Sequence, residues 1–214
     1  MAAAARRSGR EPGTVTLIGV VKAIPIELTR EAAALGLADL GENRVQEAER
    51  VVAVVGRDAT RWHMIGHLQS NKAARAVLLF DRIHSVDDLA LAERISRQAV
   101  AAGRRMPVMV EVNVSGEASK FGVAPEDAER LIAGMLALPG LALDGLMTVG
   151  QPVERADDAR PGFARLRELR DGIARRLGCA LPELSMGMSA DFEAAIEEGA
   201  TMVRVGGALF GPRG

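Results

Sequence analysis

The chain has 214 residues, 48% of them apolar, and a formal net charge of −1. That is enough apolar surface to bury the core of one sizeable domain, and the near-neutral balance excludes a basic nucleic-acid track as its main business. A single cysteine, Cys179, excludes a disulfide framework and fits a reducing, cytoplasmic setting, while no apolar run approaches the roughly 18 residues of a membrane span.

Ala2 to Ser8 reads as a short N-terminal helix closed by Gly9. The start has no apolar stretch after its charges, so it is not a secretory signal. Val15 to Val21 is an apolar run that reads as a strand buried on both faces. Pro25 then opens a helix to Gly36. Leu37 to Leu40 is a second strand, ending at Gly41-Glu42-Asn43, and a helix runs from Arg44 to Val55. Arg61 to Ile65 is a third strand, ending Gly66-His67, with a helix over Ser70 to Leu78. Arg82 to Ser85 is the fourth, followed by a helix capped at Val86-Asp87-Asp88 and stopped by Gly103. Pro107 to Val114 is the fifth strand, and Pro125 opens the helix that Pro139-Gly140 stops. Leu143 to Val149 is the sixth, with a helix from Phe163 to Leu177. Glu183 to Met188 is the seventh, with a helix from Asp191 to Glu198, and Met202 to Val205 is the eighth.

No linker or low-complexity tract divides the chain, so residues 1–214 read as one domain. Eight strand–helix repeats predict a (β/α)8 TIM barrel of the α/β class. An open doubly wound sheet is the rival, but it usually carries a Gly-rich turn after its first strand, and here Lys22 stands at that place.

Sites in such barrels lie at the carboxyl ends of the strands. The candidates there are Lys22, Asn43, His67, Ser85, Asn113, Ser115, Met188 with Ser189, and Arg204 with Gly206 and Gly207. A lysine ending a buried strand has two readings: a stem that snorkels to water, or an amine with a chemical task. Composition bears on the choice. Only Lys22, Lys72 and Lys120 are lysine among 27 basic residues, which leaves 24 arginines. Imine formation with an aldehyde is a task guanidinium cannot perform, because it needs a neutral amine. The glycines at Met186-Gly187-Met188-Ser189 and Val205-Gly206-Gly207-Ala208 have their own two readings, tight turns or phosphate grips. Their joint place after strands seven and eight, where barrel phosphate sites recur, favours a phosphate. A phosphate grip and a lone lysine across one mouth point to pyridoxal phosphate held as a Schiff base.

The sequence resembles the pyridoxal phosphate homeostasis proteins, single-domain relatives of the alanine racemase barrel. The matching runs span the chain: Val20-Val21-Lys22-Ala23, Leu40-Gly41-Glu42-Asn43-Arg44-Val45-Gln46-Glu47, Trp62-His63-Met64-Ile65-Gly66-His67-Leu68-Gln69-Ser70-Asn71-Lys72, Ile83-His84-Ser85-Val86-Asp87, Leu184-Ser185-Met186-Gly187-Met188-Ser189-Ala190-Asp191-Phe192 and Val203-Arg204-Val205-Gly206. The resemblance implies Lys22 as the Schiff-base lysine, Ser189 and the backbone at Gly206 and Gly207 on the phosphate, and Arg204 near the pyridine nitrogen. The chain departs from the family pattern at Val21 and Ala23, usually Ser and Thr, and at Gly207, usually Thr.

The resemblance further implies a cofactor carrier that stores pyridoxal 5'-phosphate and delivers it to apo-enzymes, as a monomer, with no catalytic residue. Alanine racemases use a tyrosine from a second domain as second base, and this chain contains no tyrosine. The alternative is a low-activity amino-acid racemase whose second acid is a histidine or water. His63, His67 and His84 read first as hydrogen-bonded structural imidazoles. Cys179 reads as a small buried hydrophobe. Lys72, in a first helical turn, is either a secondary phosphate contact or a solvated side chain.

Overall fold

Short apolar runs, each too hydrophobic to face water on either side, close on one another. In a computed structural model that describes residues 1–58, 60–117, 119–151 and 153–211, eight parallel strands form one closed barrel in sequence order. They are β1 (Thr16–Val20), β2 (Asp39–Glu42), β3 (Arg61–Met64), β4 (Arg82–Val86), β5 (Met106–Glu111), β6 (Leu141–Met147), β7 (Glu183–Ser185) and β8 (Met202–Val205). The helices around them are α1 (Ala2–Arg7), α2 (Ile26–Ala34), α3 (Val45–Val55), α4 (Ala73–Leu79), α5 (Leu89–Ala101), α6 (Ala128–Leu136), α7 (Arg160–Leu177), α8 (Phe192–Glu197) and α9 (Gly207–Phe210). Pairing of Thr16 with Met202 through Gly19 with Val205 closes the ring. Among the described residues no helix is long and apolar enough to cross a membrane.

Alternation along the strands sorts side chains into two layers. Outward residues such as Leu40, Trp62, Ile83, Val108, Leu146, Leu184 and Val203 are buried against the helices in one continuous core. Inward residues form a separate cluster, Ile18, Met109, Met147 and Met202. The barrel interior is therefore packed rather than open.

Several boundaries differ from the sequence reading. β2 begins at Asp39 rather than Leu37, because the Leu37 side chain packs where a Cβ on Gly19 would otherwise sit, 2.5 Å from its Cδ2. β5 stops at Glu111, since Asn113 Oδ1 accepts from Ser115 Oγ and the Gly116 N–H and turns the chain. Asn113 and Ser115 are thereby committed to a hydrogen-bonded turn. β7 is three residues long because Gly187, at φ +92°, turns away at once. Ser85 lies inside β4, fully buried, instead of at the mouth. The predicted helix over Ser70 to Leu78 is a 3-10 turn, Ser70–Lys72, followed by α4. α7 starts at Arg160 with Pro161 in its first turn. Cys179 is half-buried, at the edge of the core.

Gly145 and Gly140 are required where strands and loops cross closely. A Cβ at Gly145 would lie 2.0 Å from the Glu183 carbonyl of β7, and one at Gly140 would lie 2.2 Å from that of Ser96. Both obstacles are backbone, so β7 must shift. Gly145→Ala is expected to cost about 3 kcal/mol, lowering Tm by roughly 6–12 °C in thermal unfolding.

Candidate functional site

The carboxyl mouth of the barrel holds a cavity of about 390 Å³, within the usual range for small-molecule sites. Seven of the sequence candidates line it: Lys22 after β1, Asn43 after β2, Met188 and Ser189 after β7, and Arg204, Gly206 and Gly207 from β8 onward; His67, Ser85, Asn113 and Ser115 do not. The cavity also takes in Val149, Gln151 and Val153 from the loop after β6, and Asp191 ahead of α8. Sequence reading missed these four as site residues. The loop has no Gly-rich or charged signature, whereas Asp191, read as a helix cap, carried a signal of its own.

Lys22 lies two residues past β1, and Ala23 beyond it adopts φ +58°. That left-handed turn is costly for a residue with a Cβ, and it bends the chain directly after the lysine. Across the mouth, the Asp191 carboxylate accepts from the Met188 N–H at 2.6 Å instead of capping α8, and so ties down the β7 turn. Ser189 Oγ then accepts from the main-chain N–H groups of Gly206 and Ala208, each at 3.2 Å. Two backbone donors and a hydroxyl thus converge at the amino end of α9, a short helix that sequence reading did not foresee. A Cβ on Gly207 would meet nothing nearer than Ser189 Oγ at 3.8 Å.

Arg204 is buried, with NH1 donating to Ser185 Oγ at 2.6 Å and NH2 to the Thr148 carbonyl at 2.7 Å. Burial pulls its pKa down to about 10, with Glu111 and Asp191 countering, so it stays cationic at neutral pH. Burial in turn pushes Glu111 up to about 7; Asp87 adds to the rise and Arg204 opposes it.

Behind Arg204 a hydrogen-bonded chain crosses the barrel. Ser185 Oγ lies 3.0 Å from His84 Nδ1, His84 Nε2 lies 2.9 Å from His63 Nδ1, and His63 Nε2 lies 2.9 Å from Asp39 Oδ1. Burial works to raise the Asp39 pKa, but hydrogen bonds from His63 and Arg61 bring it down to about 2. Burial holds His84 neutral, reinforced by His63, Arg204 and Arg82. With His84 neutral and Arg204 donating to Ser185 Oγ, the donors line up one way: Ser185 to His84 Nδ1, His84 Nε2 to His63, and His63 Nε2 to Asp39. His63 and His84 are thus hydrogen-bonded structural imidazoles, and the relay fixes the guanidinium plane. His67 faces a neighbouring cavity instead.

A closed barrel whose carboxyl mouth holds a cavity lined by Lys22, Ser189, Gly206 and Gly207 has the form of a small-molecule-binding (β/α)8 protein. The alanine racemase N-terminal domain family matches residues 2–214. A pyridoxal phosphate homeostasis protein of Pseudomonas aeruginosa is 48% identical over 98% of this chain and 90% of its own length. One from Aquifex aeolicus is 45% identical over 98% and 92%. The structure of PipY of Synechococcus elongatus with pyridoxal phosphate bound superposes with a TM-score of 0.87 at 39% identity, covering 97% of both chains. The chain belongs to the alanine racemase N-terminal domain family, among its pyridoxal phosphate homeostasis proteins.

Glu42, at the end of β2, is buried beside this site, with Oε2 accepting from the Asn43 N–H. Burial raises its pKa to about 7; the Asn43 N–H and Lys22 work against the rise and Glu47 adds to it. A raised folded-state pKa means the neutral acid favours folding. That stabilisation is complete below the usual carboxylate range and lost as pH rises through 7. Glu42→Gln is therefore expected to add roughly 2–3 kcal/mol at pH 8 and under about 1 kcal/mol at pH 5, read from thermal unfolding at both.

Proposed function

We propose that this chain, residues 1–214 acting as one monomeric barrel, binds pyridoxal 5'-phosphate and holds it in the cytoplasm for delivery to enzymes that need it. The observation that carries the reading is the convergence on one cavity of Lys22, the only lysine lining it among the described residues, with Ser189, Gly206 and Gly207, where Ser189 Oγ accepts from the Gly206 and Ala208 N–H groups. The donor set fits the cofactor: main-chain N–H groups and a hydroxyl for a phosphate, an amine for an aldehyde. The pyridoxal-phosphate-bound PipY relative supports the same ligand.

When bound, the cofactor supplies an aldehyde carbon open to amines and a ring that withdraws electrons. The chain's residues do the rest. Lys22 Nζ holds the aldehyde end covalently, Ser189 and the Gly206–Ala208 amides hold the phosphate, and Asn43 and Met188 wall the ring. Arg204 takes the ring-nitrogen side. Its charge, locked in place through Ser185 and Thr148, disfavours a proton on that nitrogen and weakens the ring as an electron sink. No tyrosine is present to act as a second base, and His63 and His84 are committed to the relay. These features support a carrier without robust catalysis over an amino-acid racemase.

Adding pyridoxal 5'-phosphate is expected to produce an absorbance band near the visible edge that borohydride removes. Lys22→Ala should fold and lack the band; a folded variant that keeps a reducible adduct sinks the assignment. Loaded protein incubated with L-alanine in deuterated water should show no steady Cα exchange, and sustained turnover would establish the racemase reading instead. Gly207→Thr restores a hydroxyl where the structure leaves room. It should tighten cofactor binding by about 1 kcal/mol, roughly fivefold in Kd from absorbance titration.

A further inference from the structure

We propose that the larger cavity beside the Lys22 pocket is a second ligand site, for a phosphate monoester of a planar heteroaromatic molecule. This cavity, of about 750 Å³, opens on the same mouth over β2 and β3, and Asn43 lines both spaces. Its wall carries three cations, Arg44, Arg50 and Lys72, against one acid, Glu47. Arg44 reaches Glu47 at 3.4 Å. Among the described residues, Arg50 and Lys72 enter no ion pair within 4.0 Å, whereas the neighbouring Arg75 is paired with Glu49. Glu49, the acid whose charge Lys72 feels, is taken by Arg75. The first turn of α3, which no side chain caps, adds N–H groups to the same wall.

The opposite side of the cavity is aromatic. Phe121 stacks on His67 with ring centroids 4.0 Å apart and planes 12° from parallel. His67 Nδ1 is anchored toward Asp87 Oδ2 at 3.6 Å, and Phe121 remains 57% exposed. An exposed phenyl backed by an imidazole is a platform that a flat ring extends at little entropic cost. Surplus cations suit a dianion better than a single carboxylate, because a carboxylate leaves the wall with net positive charge. A concave pocket on a chain of net charge −1 offers no track for a polyanion. Lys72, left between a phosphate contact and a solvated side chain by its sequence, falls in this cavity and not in the one with Lys22.

The test uses protein loaded with pyridoxal 5'-phosphate and reduced with borohydride, which blocks the Lys22 pocket. Adenosine 5'-monophosphate, pyridoxine 5'-phosphate and inorganic phosphate are then titrated by calorimetry. At least one ester is expected to bind one-to-one with Kd on the order of 10–100 μM. Arg50→Gln with Lys72→Gln should weaken it at least about tenfold. Phe121→Ala should weaken the esters and leave inorganic phosphate unchanged. The ester that binds more tightly identifies the ring the platform prefers. No saturable binding of either ester, binding indifferent to the double substitution, or inorganic phosphate binding as tightly as both esters overturns the proposal. Should the covalent loading itself fail, the carrier reading falls separately. Adenosine 5'-monophosphate titrated into unloaded protein, with and without the double substitution, then decides the second site on its own.

Discussion

Barrel closure is the constraint on which the site depends. The ladder between β1 and β8, from Thr16 with Met202 to Gly19 with Val205, joins the two ends of the chain. It places Lys22 and the Gly206–Ala208 amides past neighbouring strands of one mouth, though more than 180 positions separate them in sequence. On the proposed function neither half would make a site alone: an amine without an anion grip has no orientation for its partner, and amides without an amine would bind any phosphate.

Inside the barrel, polar and apolar side chains divide the space. Ile18, Met109, Met147 and Met202 fill part of it, and the chain from Arg204 to Asp39 threads the remainder. A buried guanidinium is tolerable only when its donors are met and its charge is balanced. Ser185 and Thr148 each accept from one terminal nitrogen, and Glu111 and Asp191 counter the fall in its pKa. Burial raises the pKa of both carboxyls in turn, which limits how much negative charge they bring to it.

Much of this was legible from residues alone. Strand count and order followed from apolar runs between Gly and Pro signals, because a strand buried on both faces has few other readings. Seven of the cavity residues were legible because each lies at or just past the carboxyl end of a strand, where barrel sites collect. Boundaries were less so. Leu37 looks like strand until one sees that it packs over Gly19, and nothing local marks Gly187 as a left-handed turn. The relay was invisible for a different reason. His63 and His84 read as hydrogen-bonded imidazoles, but their partners Asp39 and Ser185 come from strands whose register only the closed barrel sets. Gln151 and Val153 lie in a loop with no pattern to read.

The Ser189 hydroxyl has a consequence for the empty protein. It already engages the Gly206 and Ala208 amides, so no orphaned donors are left when the anion departs. An unmet amide at Gly206, partly buried, would raise the cost of the vacant form. On the proposed function, a side chain that stands in for the phosphate would let the molecule fill and empty without leaving these amides unpaired.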